Sequence, residues 1–236
     1  MKQRFPRVQR FLAARLSPAE VYGLHLSAGL ALILAAAGIF AFIAHNVVTQ
    51  APLTVLDMRL AQQFHTYASS RWTVFMLAIT HAHATVPLLV LAGLFAIYLY
   101  GRRAYDWVAT VVAVVPVGMM LNVALKNIFQ RARPHFEEPL VVLATYSFPS
   151  GHASGSTLLY GVIAAYCVCR VRSQTGRIGA CTAAATMVLL VCLSRIYLGA
   201  HYLSDVMAGV TVGIAWLTVC LTAIATLRRQ RRLHQR

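Results

Sequence analysis

"IGACTAAATMVLLVCLSRIYLGAHYLSDVMAGVTVGIAWLTVCLTAIATL", residues 178–227, holds two apolar runs separated by a short polar gap. Each run has roughly the 20 residues that cross a bilayer as helix. The gap, "SRIYLGAHYLSD" at 194–205, brings Arg195, His201 and Asp205 close together and is too short to be a soluble loop. The two runs therefore read as a helical hairpin in a membrane, with ionisable groups at its tip.

The rest of the chain repeats this pattern. Of its 236 residues, 59% are hydrophobic and 11% charged, where a soluble domain carries about a quarter charged. Six spans can be marked, at 22–45, 72–100, 107–126, 151–169, 178–198 and 203–227. The fold expected is all-α, a polytopic six-helix membrane bundle over 22–227. A basic N-terminal segment, 1–21, and a basic tail, 228–236, flank it. The second span is longer than a crossing needs and contains "THAHATVP" (80–87). Pro87 disfavours helix at the residue before it, so a short surface helix, a break and a span from about Val86 are expected. Phe5, Val8, Leu12 and Leu16 recur at helical spacing among arginines. They fit a helix lying on an anionic membrane face or, equally, a frayed basic tail.

The net charge of +15 could suggest nucleic acid. The basic residues instead sit in short clusters beside apolar runs, with no aromatic-interleaved stripe, so nucleic acid is excluded and the lipid bilayer is the partner. Fifteen of the 21 Lys and Arg lie in the N-terminus, the 101–106 and 170–177 turns and the tail. The positive-inside bias then puts both termini in the cytoplasm. The five cysteines, Cys167, Cys169, Cys181, Cys192 and Cys220, fall in or beside apolar runs without metal-ligand spacing.

Six cations are left on the opposite, outer side: Arg59, Arg71, Lys126, Arg131, Arg133 and Arg195. Charge at membrane depth is costly and by default serves a function. In "KNIFQRARP" (126–134), Lys126 ends a span and Arg133 precedes a chain-turning Pro134. Arg offers a planar fork for phosphate oxygens and Lys a point charge; a cationic helix-end anchor is the plainer reading. In "FPSGHAS" (148–154), Ser150 can cap a helix, Gly151 lets backbone approach a ligand, and His152 falls in the first turn. A helix N-terminus is an anion site, though a capped helix with an interfacial histidine also satisfies the pattern. In 194–205, His201 and Asp205 are four apart and share a helix face. The carboxylate can fix the imidazole tautomer and leave one nitrogen free as nucleophile. Together these groups suit phosphoryl transfer, with cations and N–H groups on the equatorial oxygens, one histidine attacking in line and the other protonating the leaving oxygen.

The three segments resemble the signature of the type 2 phosphatidic acid phosphatase family, which shares its site with vanadium haloperoxidases. Lys126, Arg133 and Pro134 match its first motif, Pro149 to His152 its second, and Ser194, Arg195, His201 and Asp205 its third. The resemblance implies that His201 is the nucleophile, passing through a phosphohistidine, that Asp205 orients it and that His152 is the acid. It also implies that Lys126, Arg133, Arg195, Ser150 and the Gly151 amide hold phosphate, with no metal or other cofactor. The activity implied is hydrolysis of a lipid phosphate or diphosphate at the outer face of the plasma membrane. Undecaprenyl diphosphate, phosphatidylglycerophosphate, phosphatidate and diacylglycerol diphosphate are the substrate candidates. The same motifs would serve a lipid phosphotransferase. An anion or lipid-phosphate transporter would use the cations and helix ends but has no need of the His–Asp pair. The motifs leave the oligomeric state open.

Several residues read as structural. His81 and His83 are taken as interfacial, with the border of a head-group entrance as the alternative; Arg131, Glu137 and Glu138 are taken as a solvated loop, with the mouth of the site as the alternative. Gly209 and Gly213 form a GxxxG that packs helices.

Overall fold

The computed structural model describes residues 15, 17, 23–141 and 143–234. Apart from Arg15 and Ser17, the expected 1–21 segment lies outside the described residues. Among the described residues run α1 (Leu24–Val48), α2 (Pro52–Thr66), α3 (Ser70–Ala82), α4 (Thr85–Gly101), α5 (Tyr105–Phe129), α6 (Gly151–Arg170), α7 (Gln174–Tyr197) and α8 (Leu203–His234), with no strand. Five of these, α1, α5, α6, α7 and α8, are individually long and apolar enough to cross a membrane.

The sixth expected span is a bent pair. α3 and α4 meet at 53° across a break at His83–Ala84. α4 begins at Thr85, so Pro87 lies in its first turn, where the missing N–H has no helical partner to lose. α3, expected on the surface, packs against α7 and buries Met76 and Thr80. α2 is a further difference. Its apolar residues never form a 20-residue run, so a hydropathy reading passes over it, yet it packs against α1, α7 and α8 and buries Asp57 and Ala61. α8 runs beyond residue 227 into the basic tail, since Arg and Gln are good helix formers.

α6 is the central helix, enclosed by α5, α7 and α8. Lipid is as apolar as a leucine core, so burial alone cannot drive helices together in a membrane, and close packing must do it. Small residues supply the approach. A Cβ on Gly209 would lie 2.5 Å from the Ser150 carbonyl oxygen, and one on Gly213 would lie 2.8 Å from Thr157 Cβ. The GxxxG of α8 thus receives α6. On the other flank Gly118 of α5 faces Leu158 of α6, and Leu88, Val114, Val115, Leu159 and Val162 fill the space between α4, α5 and α6. Outward-facing residues such as Leu34 and Phe42 of α1 are 62% and 65% exposed, the lipid-facing surface of the bundle.

This packing brings the C-terminal ends of α5 and α7 to the N-terminal ends of α6 and α8. Gly209→Val should force α8 off α6, costing about 1–3 kcal/mol by overpacking and lowering the thermal midpoint in detergent. Gly38→Val, at a position with nothing within 4 Å, should leave the midpoint unchanged. Equal midpoints for the two variants would show that the close approach contributes nothing.

Candidate active site

α5 ends where Gln130 takes a left-handed conformation, φ 46°, and its N–H closes on the Lys126 carbonyl at 2.9 Å. The chain doubles back, and the backbone of 145–147 receives the cations. Lys126 Nζ donates to the Tyr146 carbonyl at 2.5 Å. Arg133 donates from Nε to the Thr145 carbonyl at 2.6 Å, from Nη2 to Thr145 Oγ1 at 3.0 Å and from Nη1 to the Ala200 carbonyl at 2.5 Å. Phe148 is fully buried, its ring 5.8 Å from that of Phe40 and 5.0 Å from that of Phe129. That aromatic cluster pins the entrance to α6. Ser150 caps the helix, accepting from the Ala153 N–H at 3.5 Å, and its own N–H donates to the Asp205 carbonyl.

The α7–α8 turn is equally constrained. The N–H groups of Ala200 and His201 both close on the Arg195 carbonyl, at 3.1 and 3.2 Å. Gly199 sits at φ 63°, and a Cβ there would lie 2.6 Å from the Phe136 ring. Glycine meets both demands, the left-handed backbone and the missing Cβ.

His201 is 2% exposed. Its Nε2 lies 3.2 Å from Arg133 Nη1. A guanidinium can only donate, so Nε2 carries the lone pair and Nδ1 the proton. Burial pushes the imidazole down to about 3, so it is neutral at physiological pH. Nδ1 faces Ser147 Oγ at 3.3 Å and Asp205 Oδ2 at 3.6 Å. The second distance exceeds a hydrogen bond. Ser147 Oγ in turn donates to Asp205 Oδ2 at 2.5 Å. The sequence pairing of His201 with Asp205 is therefore bridged by Ser147, which the sequence reading did not single out.

Asp205 is fully buried and also accepts from the Tyr202 N–H at 2.9 Å and from Arg131 Nη1 at 2.5 Å. Arg131, read as part of a solvated loop, is instead held between two buried carboxylates. Its Nη2 donates to Asp57 Oδ2 at 2.9 Å, and its guanidinium lies 4.4 Å from the centre of the Tyr202 ring. Asp57 also accepts from the Ser204 N–H at 2.9 Å and from the Ser204 hydroxyl. One signal was available for Asp57: the chain has only six acidic residues, and this one stands alone between Glu20 and Asp106.

Lys126, Arg133, Gly151, His152, Arg195 and His201 line the polar head of a cavity of about 800 Å³. Its far wall is apolar: Leu88 and Leu89 of α4, Pro116, Met119, Met120 and Val123 of α5. Ser150 and Asp205 lie behind the wall, fully buried. Arg195 is 1% exposed; Nη1 donates to Thr80 Oγ1 at 3.0 Å, while Nε and Nη2 have no partner. His152 Nε2, also buried, has none either. His83, read as an interfacial histidine, belongs to the same cavity. It is buried, with Nδ1 2.8 Å from the Ile79 carbonyl and Nε2 2.6 Å from the Tyr160 hydroxyl. His81 is exposed. Lys126, Arg131, Arg133 and Arg195 face two carboxylates, Asp57 and Asp205, leaving two positive charges uncompensated at the head. Among the described residues no group of three or more His, Cys, Asp or Glu could hold a metal ion. The head is therefore complementary in charge to an anion, and the wall to an apolar chain.

Residues 107–229 match the PAP2 superfamily. Over 144 residues, 59% of this chain and 68% of the relative, the sequence is 34% identical to phosphatidylglycerophosphatase B of Bacillus subtilis (strain 168). The fold resembles the crystal structure of a transmembrane PAP2-type phosphatidylglycerolphosphate phosphatase from Bacillus subtilis. The TM-score is 0.69 and the identity 27%, over 82% of this chain and 94% of that one. It also resembles Aquifex aeolicus LpxE, at TM-score 0.57 and 20% identity over 70% and 94% of the two chains, a likeness of fold alone. Three motifs that converge on one cavity head, a helical membrane fold and a match over half the chain agree: this multi-pass membrane protein belongs to the PAP2 superfamily.

Proposed function

We propose that the chain is a metal-independent lipid phosphatase that removes a terminal phosphate from a membrane lipid through a phosphohistidine. The observation that carries this reading is the unpaired donor set at the cavity head. Two buried guanidinium nitrogens of Arg195 lack partners beside an apolar-walled cavity, and buried donors are costly to leave unpaired. A phosphate there satisfies them while its lipid chain lies along α4 and α5.

The steps follow from the tautomer. Phosphate oxygens draw Arg133 Nη1 away from His201 Nε2 and bind it with Lys126, Arg195 and the free N–H groups at the start of α6, Gly151 among them. The bared Nε2 lone pair attacks phosphorus in line. The P–O bond to the lipid breaks, and His152, which takes up a proton from solvent once the phosphate dianion is seated beside it, gives that proton to the departing oxygen. The new phosphoimidazolium keeps its Nδ1–H toward Ser147 and, through it, Asp205. Water then attacks phosphorus, His152 takes its proton, and phosphate leaves with His201 neutral again. Ser150 supports this as a cap rather than as a phosphate ligand.

Of the substrates considered, phosphatidylglycerophosphate is favoured by the name of the 34%-identical relative. In a plasma membrane, the Lys and Arg distribution favours the site on the outer face.

With radiolabelled lipid phosphate and excess EDTA present, wild-type protein should give an alkali-stable, acid-labile phosphoryl adduct. His201→Ala should give none and no turnover, and His152→Ala should slow turnover about 10²–10⁴-fold. An adduct that persists without His201, or one that EDTA abolishes, refutes the mechanism. Ser147→Ala should lower kcat by about tenfold or more with little change in KM, since it orients the nucleophile without touching phosphate; a pure KM effect would assign it to binding. Glu138→Cys should react with an impermeant thiol reagent on intact cells, and labelling only after lysis would reverse the orientation.

A further inference from the structure

The opposite end of the bundle carries a second cavity that the reaction does not use. It holds about 610 Å³ and is lined by Arg103, Asp106, Trp107, Arg170, Arg228 and Arg231, among others. It forms where α4 turns into α5, at the last residue of α6 and near the end of α8. The site described above lies at the other ends of α5, α6 and α8, about 30 Å away by helix rise.

Topology alone requires arginines on one face of a membrane protein; it does not require them to converge. Here four guanidinium groups from three separate segments share one basin with a single carboxylate. Asp106 accepts from Arg228 Nε at 3.1 Å and lies 3.6 Å from Arg231 Nη1. The Arg228 guanidinium lies 5.0 Å from the centre of the Trp107 ring, and that of Arg170 lies 5.6 Å from that of Tyr166. These contacts fix the direction of the forks but leave three positive charges in excess. Arg228 Nη2 is buried with no hydrogen-bond partner. Arg103 adds an independent observation. It occupies the turn after α4 at φ 54°, a left-handed conformation in which glycine would be unstrained. An arginine at such a position, with its side chain on the basin wall, points to a use for the guanidinium. Tyr100 and Tyr105, 64% and 55% exposed, flank the turn, and exposed tyrosines mark head-group depth.

We propose that this basin binds the phosphate of an anionic glycerophospholipid, at the end of the bundle away from the catalytic cavity. The forks pair with the phosphate oxygens, and the basin's place at head-group depth selects a lipid over a free anion. Basic pockets between helix ends are a recurrent form of lipid site.

The test uses purified full-length His201→Ala protein, so that no added lipid is turned over, in neutral detergent. Its thermal midpoint is measured with added phosphatidylglycerol, phosphatidylcholine or inorganic phosphate. Phosphatidylglycerol should raise the midpoint above the value in phosphatidylcholine. The excess should fall by at least half when Arg103→Gln and Arg170→Gln are added, and recover in part with Arg103→Lys and Arg170→Lys. Both positions are exposed and away from the catalytic cavity, so the midpoint in phosphatidylcholine should hold steady. An excess that survives the Gln pair overturns the proposal. So does a shift from inorganic phosphate equal to that from phosphatidylglycerol, which would make the ligand a free anion. If the Gln pair fails to fold, the Lys pair decides: an excess identical to that of the parent counts against the assignment.

Discussion

Arg131 between Asp57 and Asp205 is the interaction on which the site depends. Each group alone would be a charge in a low-dielectric setting, and the desolvation cost of such a charge exceeds anything one exposed ion pair returns. Arranged as carboxylate, guanidinium, carboxylate, and closed by Ser147, Ser204 and two backbone N–H groups, all four carboxylate oxygens have a donor. The cluster joins three segments that are far apart in sequence: α2, the loop after α5 and the first turn of α8. Removing Arg131 would leave two uncompensated carboxylates, which is why the triad is better understood as one unit than as two salt bridges.

From this unit the rest of the site follows in order. Asp205 is fixed by Arg131, Ser147 by Asp205, and the Nδ1 side of His201 by Ser147. Arg133 then reads the remaining nitrogen from the other side. The imidazole is held in the one neutral tautomer whose Nε2 lone pair faces Arg133. Burial keeps it unprotonated, so its proposed nucleophilicity needs no base to unmask it. Lys126 and Arg133 meanwhile are tethered by backbone carbonyls of 145–147 rather than by carboxylates, which holds their positions while leaving their charge available to an anion.

Much of this was legible in the sequence because a bilayer makes polar residues conspicuous. Lys126, Arg133, His152, Arg195 and His201 stand at the ends of apolar runs, and all five meet at one cavity head. Spans could be marked by length alone, save the bent pair, where His83 and Pro87 hinted at a break without giving its angle. Other features left no such trace. α2 is amphipathic and short, so no apolar run drew attention to Asp57. Ser147 stands one residue before "FPSGH", and a serine beside a turn is ordinary. Arg131 and Arg133 are two apart in one loop, and no local pattern says which takes a carboxylate and which takes carbonyls. Thr80 and His83 come to the site only because the chain bends there. What the sequence could not encode locally is pairing between segments, the same property that determines which charges are neutralised.

Compensation also separates the two basic ends of the bundle. Both gather arginines, and a count of charges treats them alike. At the site end the surplus cations converge on a cavity with an apolar wall and three histidines, and the carboxylates serve positioning. At the other end a single Asp106 orients Arg228 and Arg231 while Trp107 and Tyr166 support the guanidinium faces, with no histidine among the described residues that line the basin. The first arrangement holds the groups of the proposed phosphoryl transfer; the second holds only the groups of the proposed head-group site. α5, α6 and α8 run between the two ends as continuous helices, and α6 is locked to α8 by backbone contact at Gly209. A head group seated in the basin would therefore brace the same helices whose far ends shape the catalytic cavity.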